Sequence, residues 1–130
     1  MNVPLEALLD TLLPGDVDWP PGRSIAAALD PSALPAFATL QAALPADFTA
    51  GDETALQKAA TAEPAAFERA VTEAYTAYYT DAAVRVVIER LTGYAARPPQ
   101  PEGYVLPPFD LDLLRNQIGR KPFWRSTDPA

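Results

Sequence analysis

Between Pro64 and Tyr94 runs PAAFERAVTEAYTAYYTDAAVRVVIERLTGY, the longest stretch of the chain with a readable helical period, and every other segment has to fit around it. Phe67, Val71, Ala74, Tyr75 and Tyr78 fall on one stripe of a 3.6-residue helix, with Glu68, Arg69, Thr72 and Glu73 mostly off it. Glu63-Pro64 marks the start, because proline's missing N–H costs nothing in a first helical turn. The pattern re-phases at Thr80-Asp81. Asp81 is placed to cap a second helix with the stripe Val84, Val87, Ile88 and Leu91, and Gly93 sits where a left-handed C-cap belongs. The spacing therefore predicts two consecutive helices hinged at Tyr79–Asp81.

The flanking segments repeat this logic on a shorter scale. Leu5, Leu8, Leu9, Leu12 and Leu13 share one face of a helix that begins after Pro4 and stops at Pro14-Gly15. Asp16 to Gly22 is a loop, and its Trp19 is read as a plug over the core rather than a contact residue, since tryptophan is highly buried on average. Arg23 to Leu29 suits a helical turn or two. Asp30-Pro31 reads as N-cap plus first turn of a helix through Leu34, Phe37, Leu40, Gln41 and Leu44, ended by Pro45. After the loop Phe48 to Asp52, Thr49 or Asp52 caps a short helix from Glu53 to Ala60, with acids in its first turn and Lys58 late.

Beyond Gly93 the character changes. Residues 97–109, RPPQPEGYVLPPF, are too proline-rich for a central strand and are expected to form an extended, polyproline-II-like arm. Its PxxP spacing is common by chance and a weak argument for an SH3-type ligand. Asp110 caps a last helix with Leu111, Leu114 and Ile118 on one face, closed by Gly119. Residues 120–130 then form a partner-binding or disordered tail. No strand alternation and no internal repeat is present. The expected fold is all-α, a single small helical domain of five or six short helices with a proline-rich extended C-terminal arm.

Composition narrows the function classes. At 130 residues with 48% hydrophobic content, the chain can bury a core without disulfides or metals. Fifteen prolines are about twice the usual share, as expected for alanine-rich helices with proline-rich joints. The net charge of −7 is uneven: residues 1–60 hold eight acids against Arg23 and Lys58. Nucleic acid is thereby disfavoured as a partner, because phosphate binding needs clustered bases. No segment is long and apolar enough for membrane insertion. MNVPLEALLD has no basic n-region, and no twin-arginine pair occurs, which reads as cytoplasmic, or as periplasmic if a leader was removed.

The chain has no histidine and no cysteine, so thiol nucleophiles, histidine bases and the usual zinc sites are excluded. Asp16/Asp18 and Asp110/Asp112 are the close carboxylate pairs, read as loop solvation and helix capping rather than a cation site. No glycine-rich phosphate loop or nucleophile motif is present. No catalytic or metal residues are assigned, and an enzyme is not expected. Tyr75, Tyr78 and Tyr79 cluster on adjacent helix faces, either as core with hydroxyls at the rim or as a contact patch. Phe123 and Trp124, set between Lys121 and Arg125, are either folded back on the domain or docked on a partner.

Four phrases, in order, carry a family resemblance: LLDTLLPG (Leu8–Gly15), AYYTDAAVRVVIERLTGY (Ala77–Tyr94), PPQPEGY (Pro98–Tyr104) and GRKPFWR (Gly119–Arg125). Together they resemble the gluconate 2-dehydrogenase subunit 3 family, the small gamma-type subunits of FAD-dependent glucose–methanol–choline dehydrogenases. The resemblance covers about half the chain. It implies a non-catalytic accessory subunit that binds and stabilises a large FAD-dependent sugar or polyol dehydrogenase, with no cofactor in this chain and with a possible cytochrome c subunit in the complex. Members often bear a twin-arginine leader, which this sequence lacks. Partner-binding residues are then expected at Tyr75, Tyr79, Tyr94, Tyr104, Arg120, Phe123, Trp124 and Arg125. The alternative is a free-standing acidic protein-binding module, such as an immunity protein, antitoxin or regulator, neutralising a basic partner.

Overall fold

The computed structural model describes residues 3–95, 106–120 and 127. Among them are five α-helices: α1 (Leu5–Leu12), α2 (Leu34–Ala43), α3 (Glu53–Ala62), α4 (Pro64–Thr80) and α5 (Ala82–Thr92). Three 3₁₀ helices, Gly22–Ala28, Pro31–Ala33 and Leu111–Leu114, complete the order, and no strand occurs among the described residues. The protein is all-α. The chain divides into two compact units, Met1–Arg97 and Pro98–Ala130.

Helix boundaries in the first unit follow local hydrogen bonding. Asp30 Oδ1 accepts from the Ser32 N–H at 2.8 Å, Asp52 Oδ1 from Ala55 at 3.0 Å, and Asp81 Oδ2 from Ala83 at 3.0 Å and Val84 at 3.3 Å. Each bond satisfies a donor that a helix start leaves without an intrahelical acceptor. Asp81 is extended (φ −66°, ψ 136°), which breaks α4 from α5 at the expected hinge. Gly93 closes α5 at φ +76°, a conformation glycine reaches without a Cβ clash.

The core of this unit is built on Leu8, Leu9, Ile25, Phe37, Leu40 and Val84, all with side chains fully buried. Burying each such side chain contributes about 1.5–3 kcal/mol. Helix α4 is central, in contact with α1, α2, α3, α5 and the 3₁₀ helices Gly22–Ala28 and Pro31–Ala33.

That position corrects the stripe expected for α4. Its buried residues are Ala70, Glu73, Ala74, Ala77 and Tyr78, whereas Phe67 and Val71 are half-buried and Tyr75 is exposed. A helix ringed by neighbours turns its small side chains inward so that helix axes can approach, and displaces bulky ones to the flanks. Glu73, expected off the stripe, is drawn in because its carboxylate has donors waiting: Oε1 accepts from the Asp30 N–H at 2.7 Å, and Oε2 lies 3.8 Å from Arg69 Nη1. On α5, Val84 and Val87 are buried and Ile88 packs against the core, but Leu91 is exposed.

In the second unit, the expected last helix is reduced to the 3₁₀ turn Leu111–Leu114 and further turns ending at Gly119. Asp110 does cap it, accepting from the Asp112 N–H at 2.9 Å. Leu111, Leu114 and Ile118 are exposed, and a short helix whose apolar face is not buried does not offset its nucleation cost. Residues 106–109 have no regular secondary structure, and residues 97–105 of the expected arm lie outside the described residues. Among the described residues no helix is long and apolar enough to cross a membrane.

Candidate functional site

Where α1 ends, the chain turns sharply, and the turn is tightly held. Gly15 adopts φ +68°, and a Cβ there would lie 2.8 Å from the Pro21 backbone. Gly22 then passes so close to α1 that a Cβ would meet the Leu9 carbonyl oxygen at 2.1 Å, while its N–H donates to the Leu13 carbonyl at 2.7 Å. Arg23 fastens the same corner. Its N–H donates to Asp10 Oδ1 at 2.8 Å and its Nε–H to Asp10 Oδ2 at 2.6 Å. The bond and the charge of Asp10 raise the Arg23 guanidinium above its ordinary value.

Within the loop, Asp16 Oδ1 accepts from the Asp18 N–H at 2.8 Å and the Trp19 N–H at 2.9 Å, and the Asp16 N–H donates to the Trp19 carbonyl at 3.0 Å. Asp18 is paired with Arg90 of α5 at 2.9 Å. Trp19 is half-buried and packs against the core, in line with the plug reading. Tyr78 is buried, and its hydroxyl donates to the Pro20 carbonyl at 2.7 Å. Burial, and then the nearby Tyr79, Asp16 and Asp81, push the Tyr78 phenol above its ordinary value.

An open cleft of about 280 Å³ results, with Leu13, Pro14, Asp16, Trp19, Tyr78 and Tyr79 in its lining. The Tyr79 ring is 52% exposed and braced on two sides. It meets Tyr78 edge-on at 5.3 Å between centroids and Tyr75, tilted, at 6.3 Å. Aromatic pairs at these separations are attractive, so the ledge is held in place rather than free to collapse.

The expected partner-binding residues are distributed unevenly. Tyr75 and Tyr79 come together on this ledge, both exposed. Tyr94 is exposed just past the α5 cap, and Arg120 is exposed in the second unit. Tyr104, Phe123, Trp124 and Arg125 lie outside the described residues. Sequence reasoning missed the cleft itself, since Asp16 and Trp19 gain their meaning only when α4 brings Tyr78 and Tyr79 beside them. It also missed Leu106, Phe109, Leu111, Leu113 and Ile118 as a run of apolar side chains 66–79% exposed. Their alternation with prolines and aspartates is the one local signal of that exposure.

No group of three or more carboxylates able to hold a metal ion occurs among the described residues. Compared with known proteins, the chain matches no family model, no curated protein and no solved structure.

Proposed function

We propose that this chain is a non-catalytic accessory subunit that binds and stabilises a large FAD-dependent sugar or polyol dehydrogenase, the flavin being held by the partner. The family resemblance of Leu8–Gly15, Ala77–Tyr94, Pro98–Tyr104 and Gly119–Arg125 names the partner class. The observation that carries a binding role is the exposed run Leu106, Phe109, Leu111, Leu113 and Ile118. Exposed apolar side chains in such number favour an association role, and each one covered by a partner contributes about 1.5–3 kcal/mol before ordering costs. The Tyr75/Tyr79 ledge adds rigid aromatic anchors of the sort that dominate interface energetics.

The test is to isolate the tagged protein from its native host at mild salt and record the absorbance spectrum of what co-purifies. A flavin spectrum with a second, much larger chain supports the accessory-subunit reading. A colourless single species overturns it. A small basic companion favours the second reading, an acidic binding module, whose motivating observation is the excess of acids in residues 1–60. Steep loss of that companion with added salt, mapped to residues 1–60, marks the second case.

A further inference from the structure

The cleft beside Trp19 is lined by two hydrogen-bond donors that find no acceptor among the described residues. The Trp19 indole N–H has no partner among the described residues, yet it is not sealed from solvent, since no buried side-chain nitrogen or oxygen is left unpaired. The Tyr79 hydroxyl likewise has no partner among the described residues, on a side chain half open to solvent and braced by Tyr75 and Tyr78. By contrast the Tyr78 hydroxyl is committed to Pro20. Trp19 and Tyr79 thus share one shallow cleft of mixed polar and apolar lining with Leu13, Pro14 and Asp16.

The charge at the rim is also fixed. Two backbone N–H groups hold Asp16 Oδ1, and among the described residues no cation pairs with this carboxylate, whereas Asp18 is neutralised by Arg90. A ligand for this cleft must therefore offer flat apolar surface, carbonyl acceptors at intervals and a positive charge. A polyproline-II segment meets the first two conditions by construction. It has no internal hydrogen bonds, so its carbonyls are free to accept, and its pyrrolidine rings pack on aromatic faces at low conformational cost.

We propose that the cleft formed by Pro14, Asp16, Trp19 and Tyr79 docks a proline-rich segment of a partner protein that carries an arginine or lysine beside its prolines. The cation pairs with Asp16, while the Trp19 and Tyr79 donors bond to successive peptide carbonyls. This inference does not rest on the partner being a flavoprotein, and its failure leaves the co-purification result to stand by itself.

The experiment is a fluorescence-anisotropy titration of labelled Arg-Pro-Pro-Leu-Pro-Pro-Leu-Pro with the full chain at low salt. Saturable binding is expected with Kd on the order of 10–100 µM. Replacing the peptide arginine by glutamate weakens it, and replacing the prolines by alanine abolishes it. Tyr79→Phe, with unchanged helical circular dichroism, binds about three- to tenfold more weakly, the loss of one hydrogen bond. Asp16→Asn keeps the loop's acceptor and removes the preference for arginine over glutamate. Absence of binding at about 1 mM peptide overturns the proposal. So does equal binding of the alanine peptide, or a folded Tyr79→Phe variant that binds as tightly as the wild type.

Discussion

The Tyr78 hydroxyl donates to the Pro20 carbonyl at 2.7 Å, tying the end of α4 to a loop 58 positions earlier in the chain. Pro20 and Pro21 are consecutive, so this stretch contributes no backbone N–H of its own, and Tyr78 supplies the donor. Tyr78→Phe is expected to destabilise the chain by about 1 kcal/mol in urea denaturation, the usual net value of such a bond. A pH dependence accompanies it. Because burial raises the Tyr78 phenol in the folded state, its contribution is complete below the unfolded value of about 10 and is lost as pH rises through the folded value. The wild type should therefore lose stability above about pH 10 more steeply than Tyr78→Phe.

Glu73 is only 9% exposed and holds the Asp30 N–H. Glu73→Ala removes a charge-assisted acceptor from the junction of α4 with the 3₁₀ turn Pro31–Ala33, and a loss of about 1–3 kcal/mol is expected. Glu73→Gln retains an amide oxygen for the same donor and should cost less than half as much. Equal losses in the two variants would show that the carboxylate's charge, not its acceptor oxygen, is what the fold uses.

Asp30 is held below the ordinary carboxylate range first by the Ser32 backbone N–H, then by the Ser32 side chain, with Arg69 adding to the effect. A lowered folded value means a contribution that is present above the unfolded value of about 4 and lost as pH falls through the folded one. Asp30→Asn keeps an acceptor for Ser32 but does not titrate. The stability gap between wild type and Asp30→Asn at neutral pH should close as acid is added below about pH 4, measured by chemical denaturation at each pH.

Two glycines should respond to alanine very differently. At Gly22 the new Cβ collides with the Leu9 carbonyl oxygen, a backbone atom that cannot swing away, and a loss of about 3 kcal/mol or outright failure to fold is expected. At Gly93 nothing lies within 4 Å, so only the left-handed conformation is penalised, at about 1–2 kcal/mol. Thermal melts of the two variants distinguish collision from backbone strain.

Leu113 and Ile118 are exposed in the second unit. Leu113→Asp combined with Ile118→Asp should leave the unfolding free energy of the isolated chain within about 0.5 kcal/mol of wild type. If the proposed flavoprotein partner co-purifies with the wild type, the same pair should reduce its recovery at least tenfold while leaving the helical circular dichroism unchanged.

What the sequence by itself determined is the punctuation of the fold. Asp81 caps α5 as expected, Asp52 rather than Thr49 caps α3, and Asp30 caps the 3₁₀ turn Pro31–Ala33 that leads into α2 rather than α2 itself; Pro14 and Pro45 follow the ends of α1 and α2, and Gly93 closes α5. These choices are legible because a cap bonds to a backbone N–H two or three residues away, and a proline acts on its own turn. The tertiary structure alone decided which face of α4 is buried, why Glu73 lies inside while Tyr75 stays outside, and that Asp16, Trp19 and Tyr79 share a cleft. For α4 the periodic pattern allows neighbouring stripes, and packing selects the alanine-lined one because the helix is surrounded by neighbours on several sides. The same reason governs Leu111 and Ile118, whose spacing marks a helical face but which are exposed. Local hydrogen bonds reach a few residues along the chain, whereas burial depends on segments dozens of positions apart.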